Sequence, residues 1–140
     1  MKKVLWISRH KPLVAQLRAL REKLGDGDIE LVQHAQPIPT AEDAVRIIKQ
    51  HGADVVVAVL PLSFMAHLSE AARREGFTLL RADMENIHLC SQDPCPEFNP
   101  DTDVVMVSKD LNDPEKTIRR HFRFRGFERL VKVELVTEPW

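Results

Sequence analysis

KVLWISRHKP, Lys3 to Pro12, changes character at a single point. Val4, Leu5, Trp6 and Ile7 form an apolar run without alternation, which is the pattern of a strand buried on both faces. Ser8, Arg9, His10 and Lys11 then follow without an apolar residue between them, and Pro12 suits the first position of a helix. An open α/β sheet binds its ligands outside the carboxyl ends of such strands. The stretch therefore predicts the first strand of an α/β sheet and marks the polar tetrad as the leading site candidate.

The rest of the chain continues the alternation that this strand begins. Leu13, Leu17, Leu20 and Leu24 make one stripe of a helix over residues 12–24, closed by Gly25. Asp26-Gly27-Asp28 reads as a turn and Ile29–Gln33 as a short strand. Gln36-Pro37-Ile38-Pro39 is a stiff extended connection. Thr40 then caps a second helix that buries Ala44, Ile47 and Ile48 and ends at Gly52. Ala53–Leu60, ADVVVAVL, is the most β-branched run and reads as the central strand. Ser63 is placed to cap a third helix carrying Phe64, Leu68, Ala71 and Ala72, which Gly76 closes. Phe77–Arg81 is a fourth strand. This β-α-β-α-β-α-β order, with right-handed crossovers, implies a parallel sheet covered by helices on both faces.

Regularity ends after Ala82. Residues 83–103 read as a short strand, Asn86–Cys90, followed by a long irregular loop, and Val104–Val107 as another strand. Asp113-Pro114 resembles a helix start. Alternation over His121–Arg125 and again over Leu130–Val136 favours a hairpin turning near Gly126. The whole is an α/β fold in one domain, residues 1–140. Its sheet is mainly parallel, of about five strands, with a C-terminal β-hairpin or antiparallel extension.

At 140 residues the chain is long enough for a real core. A net charge of −1 gives no bulk attraction to long nucleic acid. The first apolar run is too short for a signal peptide, and none approaches the roughly 18 residues of a membrane span. Two cysteines make no disulfide framework, so the expected location is the cytoplasm.

Several site classes are excluded by their motifs. There is no G-x-G-x-x-G after the first strand and no G-x-x-x-x-G-K-[ST] anywhere. The acidic residues that a phosphoacceptor domain carries after its first strand are replaced by Ser8, Arg9 and His10. Cys90 and Cys95 are separated by four residues, with His88 and Asp93 close by. A structural zinc site usually draws on a second ligand pair, and the sequence shows none, so no metal is expected. The basic run Arg119, Arg120, Arg123, Arg125, Arg129 and Lys132 either flanks a phosphate or, as is more frequent, charges the outer face of an edge hairpin.

The tetrad is suited to a phosphodiester. Arg9 offers a planar fork to phosphate oxygens, the His10 imidazole can move a proton, Ser8 can donate or accept, and Lys11 adds charge. Amides opening the following helix add anion attraction. Leu60, Pro61 and Ser63, at the end of the central strand, lie on the same sheet edge and are the further ligand-binding candidates. The bland alternative is that Arg9 and Lys11 are solvated loop charges.

V-L-W-I-S-R-H followed by V-V-V-A-V-L-P resembles the small Rossmann-like, CARF-like CRISPR-associated proteins of type III systems, which are ring nucleases that degrade cyclic oligoadenylate messengers. The matching positions are Ser8, Arg9 and His10, then Leu60 and Pro61, within about the first 80 residues. Lys11-Pro12-Leu13 stands where the family usually has small residues, and the second half does not align. The resemblance implies a Rossmann-like three-layer fold and a homodimer holding a cyclic tetra-adenylate across its two-fold axis. It further implies metal-independent, cofactor-free cleavage by attack of a ribose 2′-hydroxyl. Arg9 would stabilise phosphate charge, His10 would move the proton and Ser8 would orient the ribose. The alternatives are a sensor that binds without cutting and a protein-interaction domain.

Overall fold

Val4–Ile7 and Val55–Ala58 are buried along their entire length, and they are adjacent strands of one sheet. The computed structural model describes residues 2–25, 29–89 and 95–140. The elements in chain order are β1 (Lys2–Ile7), α1 (Val14–Leu24), β2 (Ile29–His34), α2 (Ala41–His51), β3 (Val55–Ala58), α3 (Leu62–Glu75), β4 (Thr78–Leu89), β5 (Asp103–Lys109) and β6 (Thr117–Arg129). The sheet has six strands in the order β2-β1-β3-β4-β6-β5. The first four run parallel, while β6 and β5 are antiparallel to their neighbours. The protein is thus mixed α/β, with a mostly parallel core and an antiparallel extension.

Successive residues of a strand point to opposite faces, and the core divides accordingly. Leu5, Ile7, Val56 and Ala58 pack under Ala44 and Ile48 of α2 and Leu68 and Ala71 of α3. Val4, Trp6, Val55 and Val57 pack under Leu20 and Leu24 of α1. Helices therefore cover both faces, as the chain order predicts. No described helix is long and apolar enough to cross a membrane.

Differences from the sequence expectation lie at element ends and in the second half. α1 begins at Val14, two residues after Pro12, and the Gln16 side chain accepts from the Leu13 N–H at 2.8 Å. α2 is capped as expected, the Asp43 N–H donating to Thr40 Oγ1. α3 begins at Leu62, so Ser63 lies inside its first turn and caps nothing. The turn at 26–28 and the segment 90–94 lie outside the described residues.

The largest difference concerns β4 and β6. The fourth strand and the proposed short strand after it are one element, Thr78–Leu89, that continues well past the parallel core. The tail is one strand rather than a hairpin: Gly126 sits within β6, and residues 130–140 belong to no strand. The hairpin is instead β5–β6. Its turn contains Asp113-Pro114, with Asp110 N–H donating to Lys116 O and Lys116 N–H to Asp113 O. Alternation identified the strand residues His121–Arg125, but the alternating Leu130–Val136 forms no strand, and the turn was assigned to a glycine that serves another purpose.

That purpose is a bulge. Asp83 pairs with Gly126 and Met84 with Phe124, leaving Arg125 as the additional residue. Gly126 has φ 149, a backbone region reserved largely for glycine, and no atom lies within 4 Å of where a Cβ would stand. Gly126→Ala is expected to cost about 1–3 kcal/mol from backbone strain alone. The measurement is the urea midpoint at constant slope; an unchanged midpoint removes the bulge from the account of β6.

Candidate functional site

β1 lies between β2 and β3. The chain leaves β1 for β2 on one side, then crosses back to β3 on the other. This reversal is the topological switch point of an open sheet, and ligands bind in the crevice beyond it. The Ser8–Leu13 loop and the Val59–Pro61 loop both leave from that edge, since Ile7 pairs with Ala58 and the Val59 N–H donates to Ile7 O.

Three hydrogen bonds fix the first loop. Trp6 Nε1 donates to His10 O at 2.9 Å, Gln33 Nε2 donates to Ser8 O at 3.0 Å, and the His10 N–H donates to Ser8 Oγ at 3.1 Å. Ser8 is half-buried, and its own O–H remains available to a ligand. Arg9, His10 and Lys11 are exposed, and their side chains make no ion pair or hydrogen bond among the described residues. Three cationic or titratable groups therefore stand on one short, pinned loop. His34, which pairs with Ile7 from the end of β2, brings a second imidazole to the same edge. The sequence reading missed Gln33 and His34 because it ended β2 one residue early and had no partner for its side chains.

Two of the amides at the entry to α1 are committed elsewhere. The Ala15 N–H donates to Asp101 O at 3.0 Å and the Leu13 N–H to Gln16, while Pro12 has none to offer. The side chains that this edge offers to an anion are those of Arg9, His10 and Lys11.

The second set of candidates separates. Leu60 is half-buried against the core and lines an apolar groove with Leu62, Met65 and Met84, where Arg81 supplies the charge. Pro61 is exposed and its carbonyl accepts from the Met65 N–H. Ser63 is exposed on a different groove, beside His67, Glu70, Arg73 and Lys132. Leu60 and Pro61 belong to the switch-point edge, while Ser63 faces along α3.

Much of the basic run is engaged. Arg123 pairs with Asp103, Arg125 with Glu85, Lys132 with Glu134 at 2.7 Å, and Arg120 reaches Ser108 Oγ at 3.3 Å. β6 is paired on both sides, so its arginines do not guard an edge; the edges of the sheet are β5 and β2.

A second constellation, which the sequence reading did not single out, is centred on Asp103. Its side chain is fully buried. Oδ1 accepts from Arg123 Nε at 2.9 Å and Thr102 Oγ1 at 2.6 Å. Oδ2 accepts from Arg123 Nη2 at 3.0 Å, the Asn99 N–H at 2.9 Å and His121 Nε2 at 2.7 Å. The Arg123 guanidinium, helped by the other donors against the opposing cost of burial, holds this carboxyl well below the usual carboxylate range.

Compared with known family models, with curated proteins and with solved structures, the chain matches none.

Asp103→Ala is expected to lower stability by about 3 kcal/mol. That is the low end for removing one partner of a buried pair, because Arg123 is partly exposed and can rehydrate. An unfolded aspartate takes up its proton near pH 4 while the folded one resists it. The unfolded chain thus binds more protons in acid, and stability falls with pH. Urea midpoints should show the full wild-type advantage above about pH 4 and a shrinking one below it; a constant difference would contradict an ionised Asp103.

Proposed function

We propose that this protein is a Rossmann-like, three-layer ring nuclease that binds a cyclic oligoadenylate at the carboxyl edge of β1 and β3 and opens it without a metal. The observation that supports this reading is the placement of Ser8, Arg9 and His10. They leave the strand beside the topological switch point, the Arg9 and His10 side chains having no partner among the described residues and the loop backbone anchored by Trp6 and Gln33.

The chemistry follows from the groups present. A ribose 2′-hydroxyl attacks its neighbouring phosphorus, the 5′-oxygen leaves with the electron pair, and a 2′,3′-cyclic phosphate remains. The attacking hydroxyl loses a proton and the leaving oxygen gains one, so no other reactant is consumed. Arg9 stabilises charge building on the phosphate oxygens, with Lys11 contributing at longer range. His10 moves the proton, and the Ser8 O–H orients the ribose or phosphate. Leu60 and Pro61 contribute apolar surface at the edge, while Ser63, on a separate groove along α3, takes no part. A homodimer on a two-fold axis through this edge would give a tetra-adenylate two identical sets of groups.

One feature favours a second reading, a sensor that binds without cutting. The His10 ring has no hydrogen-bond partner among the described residues to fix its tautomer, whereas catalytic imidazoles are usually oriented by one.

Labelled cyclic tetra-adenylate incubated with the full chain in EDTA separates the readings. Linear products carrying 2′,3′-cyclic phosphate are expected. His10→Ala should slow turnover about 10²–10⁴-fold while retaining binding, and Arg9→Ala should lose binding itself. Retention without cleavage establishes the sensor, and no retention eliminates both.

A further inference from the structure

β4 and β6 extend beyond the parallel core as an antiparallel arm. Near its tip three side chains converge that the proposed function does not use. His88 comes from the end of β4, His121 from β6, and Cys95 from the chain preceding β5. Their ligating atoms all lie within 4.8 Å of one another. Cys95 Sγ is 3.2 Å from His88 Nε2 and 3.7 Å from His121 Nδ1. A tetrahedral zinc ion about 2.3 Å from sulfur and about 2.0 Å from nitrogen sets those atoms ~3.5 Å apart. The observed separations bracket that value.

Each imidazole is also backed on its far side by a carboxylate. His121 Nε2 lies 2.7 Å from Asp103 Oδ2, and His88 Nδ1 lies 3.5 Å from Glu97 Oε2. An ionised carboxylate only accepts, so Asp103 requires the proton of a neutral His121 on Nε2 and leaves the Nδ1 lone pair toward the sulfur. Carboxylate, histidine, then metal is the order in which proteins orient zinc ligands. The site is also sheltered. His121 is fully buried, Cys95 is buried, and the Phe98 ring stands 5.9 Å from that of His121. The expectation of no metal came from searching the sequence for a second ligand pair; folding supplies His121 from 26 residues beyond Cys95.

We infer that the reduced protein holds one zinc-class divalent cation through His88 Nε2, Cys95 Sγ and His121 Nδ1. Cys95 is in a disulfide in this structure, so loading follows reduction. A dithiol gives two electrons and two protons to the disulfide, yielding two protein thiols and the oxidised reductant. Cys95 then surrenders its proton as the metal–sulfur bond forms. Occupancy is thereby linked to redox state, and the bound ion ties the end of β4 to β6. Counting from Arg81, level with the switch-point edge, to His88, the site stands roughly 23 Å along β4. It is separate from the Ser8–Lys11 loop and independent of the activity proposed there.

Titration of the full chain with Co²⁺ under a phosphine reductant tests this. The reduced protein should take up one ion per chain, with a thiolate-to-cobalt charge-transfer band that Zn²⁺ abolishes by displacement, and the oxidised protein should show no such band. Asp103→Asn, which removes the charge behind His121 and replaces one of the two acceptor oxygens with a donor, should weaken binding about 10–100-fold. His88→Ala, His121→Asn and Cys95→Ser should each weaken it further. His88 is a third exposed, so its replacement is readable even where His121→Asn fails to fold. No stoichiometric uptake by the reduced protein overturns the inference, as does wild-type affinity in Cys95→Ser or His88→Ala, or an equal band in the oxidised chain.

Discussion

Burial of β1 and β3 on both faces is the constraint on which the architecture depends. Every residue from Val4 to Ile7 and from Val55 to Ala58 is shielded, alternately by α1 and by the α2–α3 pair. Full burial of a large apolar side chain contributes about 1.5–3 kcal/mol. No polar group can be placed along these strands without forfeiting part of that, so the first polar side chains after β1 emerge where it ends. The polar tetrad at Ser8–Lys11 is a consequence of the same requirement that builds the core.

This explains what was legible in the sequence. The apolar runs, the leucine stripe of α1 and the Thr40 cap each carry a local signal, and the parallel half of the fold follows from them. Ser8, Arg9 and His10 were placed at the carboxyl edge because a strand end is a local event. What the sequence did not reveal depends on pairing between distant segments. The length of β4 is sustained by β6 some forty residues later, its residues from Arg81 to Leu89 being half-buried or exposed and none fully buried. Gly126 looked like a turn because glycine permits both turn and bulge, and only the register with Asp83 and Met84 separates them. Gln33 likewise acquires its role from the Ser8 carbonyl on a neighbouring strand.

The antiparallel arm also changes the chemistry of the edge beside it. Asp101 O takes the Ala15 N–H, and Gln16, at the start of α1, contacts Met84 of β4 through its amide as well as serving Leu13. In an isolated β-α unit those first-turn amides would face the ligand crevice and attract anions. Here the arm and the Gln16 side chain consume them. The edge retains the exposed guanidinium, imidazole and ammonium groups of Arg9, His10 and Lys11 in their place.

His10 and His121 show how differently two histidines of one chain are used. His10 is exposed, and its ring has no orienting partner among the described residues. His121 has been oriented at considerable cost: Asp103 is buried and ionised, and an uncompensated carboxylate there would be prohibitive. Arg123, Thr102, Asn99 and His121 together offset that cost with five donors. If the Asp103 network served packing alone, an apolar cluster of similar volume would do as well or better. What an apolar cluster cannot do is hold an imidazole lone pair toward a sulfur. The placement of a fully satisfied carboxylate behind a buried ring is explained when that ring has something to bind.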